Sequence, residues 1–177
     1  MQEDILIKEL KSVATQEHAF GELVNRYKER LYWHIRRIVL NHDDTDDVLQ
    51  NTFIKIYKNI QGFKEDSALY TWMYRIATNE ALTFLKKRAN ELKTSGEALQ
   101  MSLVENLRAD PYFDGDEIQL KLQEAIAELP EKQRLVFNMK YFEEMKYEDM
   151  AVVLDTSVGA LKASYHHAVK KIEAFLK

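Results

Sequence analysis

The 177-residue chain has no cysteine. That removes disulfides, cysteine-based zinc sites and thiol nucleophiles together, and it suits a reducing compartment. Glycine and proline are scarce, at 5 and 2 residues, while leucine, lysine, glutamate and alanine abound, so the expected fold is all-α. No apolar run approaches the ~20 residues that cross a bilayer. The opening MQEDILIKEL lacks the basic-then-apolar order of an export signal. These absences point to a cytoplasmic, helical protein with no membrane insertion. Its length allows one or two domains with modest cores.

The formal net charge of -4 is unevenly spread. Residues 1–88 carry a net +1, residues 89–118 a net -5, and residues 119–177 balance. The acidic excess therefore sits in the middle of the chain, where the helical period also lapses. Thr94-Ser95-Gly96, Asp110-Pro111 and Asp114-Gly115-Asp116 punctuate that stretch with turn chemistry. A structureless segment this long is unusual inside one domain, so residues 89–117 are read as a flexible acidic linker. It would join a helical bundle over 1–88 to a second small domain over 118–177.

The last thirty residues read as a helix, a tight turn and a second helix. Met150, Ala151, Val153 and Leu154 form one apolar stripe, and Asp155-Thr156-Ser157 breaks it. Ser157 is a suitable N-cap for the second helix. Leu161, Tyr165, Ala168, Ile172 and Leu176 then recur at the spacing of one buried face, opposite Lys162, His166, Lys170 and Lys171. A short turn and an outward row of donors are what a major-groove reader requires. A helical hairpin with a solvated basic face would look similar.

Three long helices are expected in the first half. One runs from about His18 to Leu40, with Phe20, Leu23, Val24, Tyr27, Leu31, Ile35 and Ile38 on one face. A second opens on Asn41-His42-Asp43-Asp44-Thr45-Asp46-Asp47, where carboxylates suit the positive end of a helix. After a break at 61–66, Ser67 is expected to cap the third. That helix would bury Leu69, Trp72, Met73, Ile76, Ala77, Ala81 and Phe84. Its other face would show Tyr70, Thr71, Tyr74, Arg75, Thr78, Asn79, Leu82 and Lys86. Rings, a guanidinium and an amide in one row can stack unpaired bases and read their edges.

No catalytic residues are expected. The aspartates at 43–47 lack the glycine and distant glutamate of a calcium loop. His166 and His167 diverge by about 100° on a helix and share a metal poorly. No phosphate loop, triad order or paired acid and base stands out, and no metal or cofactor is expected.

Three blocks together resemble one family. FKEDSALYTWMYRIATNEALTFLKKR, from Phe63 to Arg88, is similar to the promoter-melting segment of extracytoplasmic-function sigma factors. DDTDDVLQNTFIKIYKNI, from Asp43, resembles their polymerase-docking helix. LPEKQRLVFNMKYFEEMKYEDMAVVLDTSVGALKASYHHAVKKI, from Leu129, resembles their promoter-reading domain. The resemblance covers nearly the whole chain, in the family's order.

It implies a sigma initiation factor that binds core RNA polymerase and promoter DNA and has no catalysis of its own. Asp44, Asp47, Gln50 and Asn51 would grip the clamp helices of the largest subunit, with Val48, Phe53 and Ile56 stiffening the helix from behind. Phe63, Lys64, Asp66 and Ser67, with Tyr70, Tyr74, Arg75, Asn79 and Lys86, would receive the separated minus-ten strand. Among these, Asn79 would line a base pocket, while Arg75 and Lys86 would track phosphates. Ser157, Val158, Gly159, Lys162, Ala163, His166, His167 and Lys170 would meet the minus-thirty-five element, with the flap of the second-largest subunit as that domain's polymerase contact. An anti-sigma factor is a further expected partner. Many relatives carry Arg where this chain has Ser164 and His167, which removes a bidentate guanine contact. The competing reading is a stand-alone helix-turn-helix regulator, which would need a dimer interface and a sensing domain.

Overall fold

The computed structural model describes residues 1–110 and 115–177, with Arg108 described by its backbone alone. Nine α-helices lie among the described residues: α1 Glu3–Leu10, α2 Gln16–Val39, α3 His42–Asn59, α4 Leu69–Glu91, α5 Gly96–Glu105, α6 Glu117–Ala127, α7 Glu131–Tyr141, α8 Tyr147–Leu154 and α9 Val158–Leu176.

The three long helices expected in the first half are α2, α3 and α4, packed pairwise on one another. The buried row of α2 includes Leu23, Tyr27, Leu31, Ile35 and Ile38, and α3 contributes Val48 and Ile56. The short α1 was not expected. Its Leu6, Ile7 and Leu10 close one side of the same core. Leu40 ends α2 in the left-handed region at φ 60°, with its N–H donated to the Arg36 carbonyl at 2.9 Å. A leucine resists that conformation, and burial against Val104, Leu107 and Leu120 offsets the strain. Asn41 caps α3, its Oδ1 accepting the Asp44 N–H at 2.9 Å.

Two local expectations change. Ser67 does not cap α4: the helix starts at Leu69, and the Ser67 hydroxyl donates weakly to the Ala68 carbonyl at 3.3 Å. The exposed row expected on α4 is largely covered, since Thr71, Tyr74 and Thr78 are buried. Only Arg75, Asn79 and Lys86 of that row are exposed.

The connector holds more structure than its composition implied. α4 runs on to Glu91, and Ser95 caps α5 by accepting the Ala98 N–H at 3.0 Å. Leu99 and Val104 of α5 are buried, and the Arg36 guanidinium holds Asp110 at 2.7 Å. The turn residues at 94–96 thus serve as a helix cap, as does Asp116 for α6. Pro111 and Asp114 lie outside the described residues.

In the second half, α6, α7 and α9 enclose Ala125, Ile126, Leu129, Phe137, Ala168 and Ile172. Phe137 stacks on Tyr141 at 5.1 Å and on Tyr165 at 6.0 Å between centroids. Arg134 is buried there, which pulls its guanidinium below the usual value, and it donates to the Leu129 carbonyl at 3.0 Å. Leu176, expected on the buried face of α9, is exposed.

The two halves are not separate. Met145, Met150, Val153 and Leu161 join one apolar cluster with Met73, Ala77 and Leu31, and α8 lies along α4.

Candidate functional site

The turn between α8 and α9 is made as its sequence predicts. Asp155 ends α8 in the left-handed region at φ 50° and ψ 56°, a conformation aspartate tolerates. Ser157 Oγ then accepts the Ala160 N–H at 3.1 Å and starts α9. Leu161 and Ala168 are fully buried, which turns the opposite face outward. Ser157, Gly159, Lys162, Ala163, His166, His167 and Lys170 are all exposed, and Val158 is half-buried. The Lys162 ammonium sits 5.8 Å from the centre of the Tyr147 ring at the start of α8. One helix thus offers a continuous polar, basic surface to solvent.

The second cluster surrounds the loop before α4. Gly62, Lys64, Asp66, Ser67, Trp72 and Arg75 line a cleft of 230 Å³. Lys64 and Asp66 are exposed. Phe63 is not: it is 3 % exposed and packs on Trp72, ring centres 5.1 Å apart. Its side chain supports the cleft from beneath. Trp72, expected in the core, is half-buried and serves both core and cleft wall. One wall comes from Val152 of α8, so the C-terminal half closes over the cleft.

Tyr70 and Tyr74 are engaged in that closure. The Tyr70 hydroxyl donates to Asp149 of α8 at 2.6 Å, and this bond, with burial, raises its pKa. Tyr74 is buried, stacked on His34 at 4.7 Å, and its phenol is pushed upward by burial and then by the Glu143 charge. Arg30 lies over both rings, at 5.3 Å from Tyr70 and 5.8 Å from Tyr74. Beside them, His34 Nδ1 meets the Glu143 carboxylate at 2.9 and 3.0 Å, and its Nε2 meets the Thr78 hydroxyl at 2.7 Å. Arg37 lies 3.7 Å from the same carboxylate and 5.1 Å from the Phe142 ring centre. Burial lowers the Arg37 pKa, and Glu143 opposes that shift. A polar cluster spanning 109 residues of sequence has no local signal by which sequence reading could find it.

A third surface lies across α3 and α4. Asp47, Gln50 and Asn51 are exposed and line an open groove of 360 Å³ with Phe84, Lys87 and Arg88. Asp44 is only partly accessible and pairs with Arg88 at 3.3 Å. The acidic helix start therefore joins α3 to α4 as well as favouring the helix dipole.

The fold is thus a helical bundle followed by an exposed helix-turn-helix. Residues 23–91 match the family model described as Sigma-70 region 2, and residues 119–172 match Sigma-70, region 4. The chain is 31% identical over 163 residues to the ECF RNA polymerase sigma-E factor of Haemophilus influenzae, covering 88% of this chain and 86% of that one. Against the RNA polymerase sigma-H factor of Pseudomonas aeruginosa it is 30% identical, covering 91% and 88%. Against the ECF sigma factor SigW of Bacillus subtilis it is 27% identical, covering 99% and 98%. Among solved structures, CnrH in complex with the cytosolic domain of CnrY shares the fold at a TM-score of 0.70 and 22% identity, covering 98% and 96%. RpoE of Bartonella quintana in complex with the anti-sigma factor NepR does so at 0.69 and 20%, covering 89% and 96%.

The chain belongs to the ECF RNA polymerase sigma factors. It is a transcription initiation factor, and the stand-alone regulator is not favoured. Among the described residues no helix is long and apolar enough to cross a membrane.

Proposed function

We propose that this sigma factor directs core RNA polymerase to promoters through two DNA surfaces and one docking surface, with no catalytic activity of its own. The face of α9 carries this reading. Lys162 reaches base edges near the start of the helix, and Lys170 meets phosphate further along.

Asp47, Gln50 and Asn51 dock the polymerase clamp helices, with Asp44 held to Arg88 at their edge. The cleft at Lys64, Asp66 and Ser67, with Arg75, Asn79 and Lys86, captures the separated minus-ten strand. In the closed arrangement Val152 and Asp149 cover part of this surface, so α8 must leave α4 before Tyr70 can meet DNA. Two neighbours by fold are complexes with partner proteins, one of them named as an anti-sigma factor, and a partner that stabilises the closed arrangement would keep this chain inactive.

The test compares two lysines in reconstituted holoenzyme. Lys162→Ala should relax sequence preference in the minus-thirty-five element, costing about 1–3 kcal/mol on the preferred site and less on variants. Lys170→Ala should weaken all sites alike and lower the salt slope by about one unit. A uniform loss for Lys162→Ala would make Lys162 a backbone anchor.

A further inference from the structure

We infer that α1 is a positioning element for the minus-ten loop, acting through Glu3 and Lys11 at the loop's two ends. The region 2 match begins at residue 23 and leaves α1 outside it. The Glu3 carboxylate accepts the N–H of Leu69, the first residue of α4, at 2.9 Å. It takes the capping role expected of Ser67, but from a different helix. At the other end, the Lys11 ammonium donates to the Phe63 carbonyl and lies 5.7 Å from the Phe63 ring centre. Between these anchors, Lys64, Glu65 and Asp66 are exposed, and Ser67 is half-buried.

The loop needs such holding. Glu65 sits at φ 60°, in a region that a non-glycine side chain disfavours. A strained residue persists only where its surroundings over-determine it, and α4 makes no side-chain cap of its own. α1 is in turn seated by Leu6 and Leu10, both at 0 % exposure. The cleft walls at Lys64, Asp66 and Ser67 are therefore set by a helix that never enters the cleft. A flipped base demands a pocket formed before it arrives, because a mobile loop would add its ordering cost to that of unstacking.

This inference rests on the reading of the cleft as the minus-ten capture site, so the experiment includes a variant of that site. Holoenzymes carrying Glu3→Leu, Glu3→Gln, Lys11→Met or Asn79→Ala would be assembled with core polymerase. The probe is a promoter duplex selected by the unsubstituted holoenzyme from a randomised library, used intact and with a pre-opened mismatch bubble. Strand opening is read by permanganate reactivity of thymines, polymerase binding by pull-down, and folding by circular dichroism.

Asn79→Ala should open the intact duplex roughly tenfold less well or worse. Glu3→Leu and Lys11→Met should each lose about fivefold, with polymerase binding and helicity retained. Glu3→Gln keeps a side-chain oxygen for the Leu69 N–H and should open close to the unsubstituted level. The pre-opened bubble should recover part of each loss. Normal opening by Glu3→Leu and Lys11→Met beside an impaired Asn79→Ala overturns the bracing role and leaves the capture site standing. Normal opening by Asn79→Ala overturns the capture site and the brace with it. Equal impairment of Glu3→Gln and Glu3→Leu overturns the hydrogen bond as the cause.

Discussion

Replacing Glu143 by alanine should release α8 from α4 in the free chain while both halves stay folded. The Glu143 side chain is 8% exposed, and its carboxylate is the shared acceptor for His34 at 2.9 Å and Arg37 at 3.7 Å. Removing it leaves the buried His34 and the partly exposed Arg37 without their shared acceptor, at a cost of about 1–3 kcal/mol, the penalty for a buried group that loses its hydrogen bond. Opening restores water to both groups, so the closed arrangement bears most of that cost. A shift of this size moves the closed-to-open ratio by about one to two orders of magnitude. The absence of native cysteine permits a direct measurement. Dyes on single cysteines introduced at the exposed positions Lys58 and Lys177 should report a longer and broader distance distribution in Glu143→Ala. An unchanged distribution would assign the junction to its apolar contacts alone. In the open variant Tyr70 also loses Asp149, and DNA access to α4 should rise.

Leu161→Ala should be the most destabilising change in the C-terminal half. Leu161 is at 0 % exposure and packs in the cluster that includes Met150 and Val153 of α8, so it fixes the angle between the two helices of the motif. Truncating a buried leucine costs about 2–5 kcal/mol, through lost burial and the cavity left behind. At this chain length that corresponds to a Tm lowered by roughly 5–15 °C. The adjacent Lys162→Ala should change stability by no more than about 0.5 kcal/mol, since Lys162 is exposed. Calorimetry on the two variants separates core from surface one residue apart. Equal melting temperatures would mean that α9 has been rotated wrongly about its axis.

That rotation is legible in the chain itself. Leu161, Ala168 and Ile172 recur at a helical period, and only one rotation of α9 buries all three, so Lys162, His166 and Lys170 must face water. The same logic places α2, α3 and α4 within a few residues of their observed ends, because Asn41 and the aspartates after it mark a helix start. It fails at the start of α4. Ser67 has the chemistry of a cap, yet the cap is Glu3, sixty-six residues before Leu69. It fails again on Tyr74 and Thr78, whose types suit an exposed face but whose neighbours, His34 and Glu143, come from elsewhere in the chain. The acidic, turn-forming composition of the connector does not report that Leu99 and Val104 find a partner surface.

Local pattern alone sets the class and most of the long elements: all-helical, bundle first and helix-turn-helix last, with a final helix whose basic side faces water. Periodicity, caps and the order of three family-like blocks belong to short segments, and they are present before any two segments meet. Which surfaces then come together is a tertiary matter. That α8 lies on α4, that Glu143 joins His34 and Arg37, and that α1 brackets the loop at Phe63 and Leu69 all depend on contacts between residues far apart in the chain. Such contacts form because burial and charge pairing favour them once the chain is compact, and no single segment carries their mark.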